Sequence, residues 1–430
     1  MPPRPLKITN GLLFTKGKGT SQGALCDLDC RPDGSWSAAP AAPHSVAAAN
    51  PGGPFNSITE LYEGLNGHVL DAKGSVVLLG GLVHPHIHLD KCFLLDRCKL
   101  ETGTFAEALS ATSEAKAQFK EDDLFARGRK LIRDSLSHGV TVMRAHVEVS
   151  NPTGQPEPSD DDFPCQIDPI VSLKCLHAGF RLKASFATSC SLQLVAFAQD
   201  PFFYPDSPST ENEIAALFDS TVDLHLSSTH GNISAVGSAP YVERSRDAAI
   251  CNIEKVFSLA KKVGVDVDFH LDYDLDHSTQ ALLWDVIRIA KAEGNSWDVG
   301  GRTRRITLGH CTKLSLFDNA EMDRLAGELK SIPGEIHFVA LPPSDIYMQG
   351  RSTAYASRSR ATFPALDLVK RGISCSIGVN NVGNGFTPQG DADPLALLPM
   401  LVGVWQSAQP DALHSLLVGV KLQRRTLPSR

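Results

Sequence analysis

From Val76 onward the chain alternates short β-branched or apolar runs with stretches of helical period, and few folds accept that pattern eight times in succession. The first run opens at Val76 and leads into His86 and His88. The others fall at residues 139–149, 192–198, 232–239, 265–271, 305–311, 336–341 and 375–379. Between them, residues 105–116, 122–137, 167–178, 247–263, 279–293, 319–329 and 363–371 repeat apolar side chains at helical spacing. The run Gly139-Val140-Thr141-Val142-Met143-Arg144-Ala145-His146-Val147 is rich in β-branched residues, as in a parallel strand buried on both faces. Eight β/α units are what a closed barrel of parallel strands requires, and roughly 250 residues is its usual size. The expected fold is α/β, a (β/α)8 or TIM barrel.

The N-terminal part reads differently. Residues 8–15 resemble a strand, and Lys16-Gly17-Lys18-Gly19-Thr20 lacks phosphate-loop spacing, so a turn is expected there. Residues 31–54 are rich in Ala, Pro, Ser and Gly with too little apolar patterning for a core, which predicts an exposed insertion. Residues 67–79 read as two strands around Lys73-Gly74. The expected organisation is a β-rich appendage over 1–80 with a disordered-looking insertion at 31–56, a barrel over 81–405, and a short tail over 406–430.

Composition excludes several classes of function. The 430 residues carry a net charge of −7 with no dominant basic patch, so no nucleic-acid partner is expected. No apolar run approaches the roughly 18 residues that span a bilayer, so no membrane role is expected either. The first seven residues lack the apolar core of a signal peptide and their prolines disfavour a transit helix, which makes the cytoplasm the expected location. Ten cysteines are scattered without a Cys-x-x-Cys, several inside apolar runs, and read as free, mostly buried thiols. Cys26 and Cys30 are four apart, but no second ligand pair follows at zinc-finger spacing.

In a parallel barrel the functional groups gather at the C-terminal ends of the strands. On a strand, His86 and His88 point to one face and can reach one ion. The second run ends in Arg144-Ala145-His146-Val147-Glu148, the third in Gln199-Asp200, the fifth in His270-Leu271-Asp272-Tyr273-Asp274, the sixth in His310-Cys311-Thr312 and the eighth in Asn380-Asn381. Unpaired imidazoles crowded at a barrel mouth are costly unless something binds them. A divalent ion with open coordination positions is the chemistry that four such histidines, His86, His88, His270 and His310, best serve. The fourth run holds no lysine that could be carboxylated to bridge two ions, so a single metal is expected.

Six stretches carry a resemblance: residues 85–91 (Pro-His-Ile-His-Leu-Asp-Lys), 143–149, 193–199, His270-Leu271-Asp272, Gly309-His310-Cys311-Thr312, and Tyr347-Met348-Gln349-Gly350-Arg351. In that order the chain resembles the cytosine deaminase branch of the metal-dependent amidohydrolase superfamily, over about residues 70–405. Those proteins are (β/α)8 barrels that hydrolyse C–N bonds of cyclic amides and amidines. The resemblance implies that His86, His88 and His270 bind one divalent metal, zinc first, with iron or manganese as alternatives. It implies too that His310 polarises the attacking water or stabilises the developing oxyanion, and that Gln199, with Asn381, faces a small-molecule substrate. The family's C-terminal β-sandwich strands have no counterpart after residue 413, so the appendage is expected to be an incomplete β-sandwich. Its open edges would favour a homo-oligomer.

Two positions depart from the family. Its strand-eight aspartate aligns with Asn380, and its proton-shuttling glutamate aligns with Tyr273. An amide can offer a carbonyl oxygen to a metal but cannot act as a base. A phenol with pKa near 10 is about a thousandth ionised at neutral pH, so Tyr273 is expected to donate a proton. Asp90, Glu148, Asp272, Asp274 and Asp391 are alternative bases. The expected activity is an amidohydrolase or deaminase. A non-hydrolytic lyase, decarboxylase or cyclase and a catalytically degenerate protein are the alternatives.

Overall fold

The computed structural model describes residues 6–16, 21–30, 36–41, 69–72, 80–149, 173–227, 233–294, 304–332 and 334–421. The chain divides into two units, Met1–Gly80 with Gln409–Ala412, and Gly81–Ala408 with Leu413–Arg430. Among the described residues, no helix is long and apolar enough to cross a membrane.

The first unit holds a four-stranded sheet of β1 (Leu6–Lys16), β2 (Ser21–Cys30), β3 (Trp36–Pro40) and β4 (Val69–Asp71), in the order β3-β2-β1-β4. β1 and β2 pair antiparallel, with a register break between Ile8 and Gly11, while β4 joins β1 in parallel. β3 corrects the expectation of an unstructured insertion. Its backbone pairs with β2 from Cys26 opposite Pro40 to Cys30 opposite Trp36, a ladder that does not depend on apolar side chains. The rest of that insertion and the turns expected at 17–20 and Lys73-Gly74 lie outside the described residues.

The second unit is the barrel. Its strands are β5 (Leu82–His88), β6 (Val140–Glu148), β7 (Ser191–Ala198), β10 (Ile233–Ser238), β11 (Asp266–Leu271), β12 (Arg305–His310), β13 (Glu335–Ala340) and β14 (Ser374–Ile377). They lie side by side in sequence order, each parallel to the next. A two-stranded hairpin, β8 (Phe203–Tyr204) with β9 (Ser207–Glu211), follows β7. The seam between the end strands closes just past β14: the His88 amide donates to the Asn380 carbonyl at 3.0 Å, and the Asn380 amide donates to the His86 carbonyl at 3.3 Å. Phe197, Phe269 and Phe338, all on barrel strands, are fully buried.

The helices are α1 (Phe105–Ala117), α2 (Glu121–Ser137), α3 (Lys174–Ser185), α4 (Glu213–Ser227), α5 (Arg246–Val263), α6 (Leu283–Glu293), α7 (Asn319–Leu329), α8 (Pro342–Met348), α9 (Ala365–Lys370), α10 (Leu397–Val404) and α11 (Pro410–Gly419). The sequence explains their limits: α5 starts at Ser245, whose hydroxyl accepts from the Ala248 amide, and stops at Gly264 in the left-handed conformation. Asp318 and Glu321 form a reciprocal capping box on α7. Five helices differ from expectation. The one expected at 167–178 starts at Lys174, with residues 167–172 outside the described set, and runs on to Ser185. α4, α8, α10 and α11 were not anticipated. α4 had a readable stripe in Ile214, Leu217, Phe218 and Thr221, all buried. α8 has only seven residues, too few for any period to declare itself. Past residue 405 the chain also returns to the barrel, where the Val420 carbonyl accepts from the Val83 amide at 3.0 Å.

Four residues just beyond or at strand ends take left-handed backbone: Asp272 (φ 48°), His310 (67°), Cys311 (45°) and Asn380 (69°). For residues with a Cβ this conformation costs energy and concentrates where side chains must be aimed.

Candidate active site

The C-terminal mouth of the barrel gathers imidazoles. One candidate ligand atom from each of His86, His88, His146 and His270 lies within 4.8 Å of the others, and all four residues are buried. His86 is the hub, its ring centroid 4.0 Å from His146, 4.5 Å from His270 and 5.5 Å from His88. Five ring nitrogens in this group have no hydrogen-bond partner: both of His86, Nδ1 of His88, Nδ1 of His146 and Nε2 of His270. Burial, reinforced by the neighbouring imidazoles, pulls His86 and His270 well below the usual histidine pKa. His88 moves the same way through burial and the Lys91 ammonium. Neutral rings with unpaired nitrogens are the form that binds a metal, so the residues present fit a divalent ion.

His146 was quoted at its strand end but given no role in the sequence. In the barrel its Nε2 pairs with Asp268 Oδ1 at 3.0 Å, and Arg144 Nε donates to Asp268 Oδ2 at 2.5 Å. The readable signal was register: His146 sits directly beside His88 on the neighbouring strand. Two imidazoles at one level of adjacent strands share a face.

A cleft adjoins this group, its non-atom space about 340 Å³ with the open solvent at its mouth included. His88, His270, His310, Gln199, Tyr273, Asn380 and Asn381 all line it, as does Lys91. Five residues expected to face substrate or take part in chemistry, His310, Tyr273, Asn380, Gln199 and Asn381, are thus brought together with two of the expected ligands. Phe105, Tyr241, Tyr273 and Phe386 supply an aromatic wall, with Phe105 5.3 Å from Tyr273 and 5.8 Å from Phe386 between centroids.

α8 organises the proton-bearing side. Asp345 Oδ1 lies 2.8 Å from His310 Nδ1, and Ser344 Oγ accepts from Asn380 Nδ2 at 2.7 Å. Asn380 Oδ1 is left without a partner. The Tyr273 hydroxyl donates to the Ser344 carbonyl at 3.3 Å, and burial beside Asp345 pushes the phenol well above its usual pKa. Tyr273 therefore stays protonated with its proton already directed at the backbone, and its ring rests 4.1 Å from that of His310.

None of the five alternative carboxylates lines the cleft. Glu148 lies between Lys91 (2.9 Å) and Lys116. Asp90 accepts from the Glu148 amide at 2.7 Å and lies 3.9 Å from His88 Nδ1. Asp272 accepts from the Leu282 and Leu283 amides, and burial raises its pKa to about 6. Asp274 pairs with Lys313, and exposed Asp391 accepts from the Asp393 amide. Lys91 also donates to Gln199 Oε1 at 3.2 Å, which fixes that amide's orientation at the cleft.

Fold and site together define a (β/α)8 barrel with a histidine-rich mouth, and the chain is similar in fold to solved deaminase barrels. No family model matches the chain. It is 24% identical over 345 residues to a pterin deaminase of Rhizobium rhizogenes strain K84, covering 77% of this chain and 67% of that one. It is 23% identical over 332 residues to an N-isopropylammelide isopropyl amidohydrolase of Pseudomonas sp. strain ADP, covering 75% and 68%. In structure it resembles the 5-methylcytosine deaminase of Klebsiella pneumoniae liganded with phosphonocytosine, with a TM-score of 0.73 at 23% identity over 96% of this chain and 85% of that one.

Proposed function

We propose that the chain is a metal-dependent hydrolase of a C–N bond in a small cyclic nitrogenous substrate, a deaminase or amidohydrolase in type. One observation carries the reading: the buried imidazoles with unpartnered nitrogens stand at the barrel mouth beside an aromatic-walled cleft. His86, His88 and His270 would hold the ion, with His146 beside them and Asn380 Oδ1 as a neutral oxygen donor. An imidazole set suits zinc, with iron or manganese as alternatives. Such an ion would polarise the substrate and make water acidic enough to attack near neutral pH.

The chain's own residues supply the rest. A flat ring fits against Phe105, Tyr241, Tyr273 and Phe386, while the Lys91 ammonium and the Gln199 and Asn381 amides orient its polar edge. His310 receives a proton at Nε2 as the water oxygen bonds to the ring carbon. It returns that proton to the leaving nitrogen as the C–N bond breaks. Water is consumed, and ammonia or an amine leaves with the oxo product.

The test is elemental analysis of the purified full-length chain, with amine release assayed on pterin, cytosine, 5-methylcytosine and N-alkylated triazine substrates. About one equivalent of metal and turnover of at least one substrate are expected, both lost in His86→Ala. Activity unchanged in that variant, on a metal-free protein, would overturn the reading.

A second reading has one observation in its favour. Among the described residues lining the cleft there is no carboxylate, which suits a lyase or decarboxylase that needs only a Lewis acid. Oxygen from ¹⁸O-labelled water appearing in the product decides for hydrolysis.

A further inference from the structure

We propose that Asp345 is the positioning carboxylate of this site, which fixes His310 in the tautomer protonated at Nδ1 and so leaves Nε2 as the nitrogen that exchanges protons in the cleft. The inference rests on the hydrolytic reading for its chemistry but not for its geometry.

Three partners converge on Asp345, two of them donors. His310 Nδ1 lies 2.8 Å from Oδ1, and Oδ2 accepts from Thr362 Oγ1 at 3.2 Å and from the Leu341 amide at 3.3 Å. A carboxyl group whose Oδ2 already takes two donors is placed as an acceptor, and an ionised carboxylate is acceptor-only. Asp345 is fully buried, so its charge is deployed towards these partners rather than towards water. Burial raises its pKa, while the His310 bond, the Thr362 hydroxyl and the Leu341 amide act in the opposite direction. The imidazole hydrogen must then lie on Nδ1, facing Oδ1. Nε2 keeps its lone pair, on a residue that lines the cleft.

Two polar residues beside this dyad, Asn380 and Tyr273, are held in a complementary way. Asn380 is held by Ser344, the residue before Asp345, and its amide cannot accept a proton at neutral pH. Tyr273 keeps its proton and directs it at the Ser344 carbonyl. Among the alternative carboxylates, Glu148 and Asp274 pair with lysines, while Asp90, Asp272 and Asp391 accept from backbone amides. His310 with Asp345 behind it is the pair on which a proton can both arrive and be stabilised. Conversion of the ring to imidazolium during turnover places a positive charge 2.8 Å from the carboxylate, an interaction absent from the resting site and so of the kind that lowers a barrier.

The experiment compares Asp345→Asn and Asp345→Glu with the parent chain. An Asn side chain of the same shape offers its NH₂ to Nδ1 or to Nε2 through a turned ring, so the tautomer is no longer dictated. With ¹⁵N-labelled imidazoles, zinc-loaded parent protein should give a His310 signature of protonated Nδ1 and unprotonated Nε2, assigned by its loss in His310→Gln. Asp345→Asn should mix or invert that signature. On the substrate found in the amine-release panel, kcat should fall at least a hundredfold with KM changed less than threefold and zinc content unchanged. Asp345→Glu should recover part of the loss. A parent signature of protonated Nε2, or an Asp345→Asn variant with the parent's tautomer and kcat, would overturn the proposal. If no C–N bond is hydrolysed at all, the spectrum alone still decides the tautomer, so failure of the activity and failure of this inference read differently. If Asp345→Asn does not fold, the parent spectrum and that of Thr362→Val, which removes only one of the two donors to Oδ2 and should keep the parent tautomer, stand in its place.

Discussion

Asn380 Nδ2 donates to Ser344 Oγ at 2.7 Å, and that one bond determines which end of the amide is left over. The unpartnered end is Oδ1, buried in the lining shared with His88 and His270. Replacing the amide by a carboxylate adds a buried charge at an oxygen that has no hydrogen-bond partner. Asn380→Asp should therefore lose about 1–3 kcal/mol of stability in metal-free protein and regain it when zinc is added. Thermal melts with and without zinc check this. A zinc-induced shift equal to that of the parent would count against Oδ1 facing the metal position.

Gly309, on β12, has no room for a side chain. A Cβ there would stand 2.9 Å from both Cε1 and Nδ1 of His86. His86 is the hub of the cluster, so its displacement should be felt in metal binding before it is felt in the fold. Gly309→Ala is expected to weaken zinc binding by about tenfold or more, measured by chelator competition, with the circular dichroism spectrum unchanged. Undiminished affinity would show that His86 is not a ligand.

Asp268 holds His146 through Nε2 and is itself held by Arg144. Partners of this kind orient an imidazole, and their loss typically costs about 10- to 100-fold in metal affinity. Asp268→Asn should fall in that range. Equal zinc affinity in the variant would remove His146 from the metal-binding set.

Glu148 bears on acid stability. Burial acts to raise its pKa, but the Lys116 and Lys91 ammonium groups outweigh that and bring it down to about 2. A carboxylate whose folded-state pKa lies below the unfolded value of about 4.3 favours folding above that value. The contribution, about 3 kcal/mol, is lost as the pH falls from about 4.3 towards 2. Glu148→Gln should lower stability at pH 7 by about 3–5 kcal/mol, because it leaves the buried Lys91 and the half-buried Lys116 without this partner, and should flatten the acid limb. Urea titrations between pH 2.5 and 7 read both effects. An unaltered acid limb would assign the titration elsewhere.

The parts legible in the sequence were those written in side-chain pattern. Barrel strands are covered on both faces, so β7 announces itself by the unbroken apolar run from Leu194 to Ala198, and His86 and His88 share a face by strand geometry alone. What escaped was written in backbone or in distance. β3 is an Ala- and Pro-rich segment whose strand character comes from its ladder with β2. Asp345 lies on a helix of seven residues opened by Pro342 and Pro343, and nothing local relates it to His310, thirty-five positions earlier. Tyr273 was read as a proton donor from its chemistry, but the direction of its hydroxyl depends on the Ser344 carbonyl, which no residue type encodes. The left-handed turn at Asn380 is equally silent, since asparagine is only one of the residues that accept it.

α8 has an implication for how such a site diversifies. The imidazoles of the cradle hang on β5, β6 and β11, where any shift of backbone is resisted by two neighbouring strands. Ser344 and Asp345 ride instead on α8, a seven-residue helix between β13 and α9, bonded to His310 and Asn380 only through side chains. Substitutions in that helix can alter which atoms receive and deliver protons while the cradle stays as it is. The barrel thereby carries its imidazole cradle in one layer and its proton-directing side chains in another, and the second layer is a cassette a few residues long.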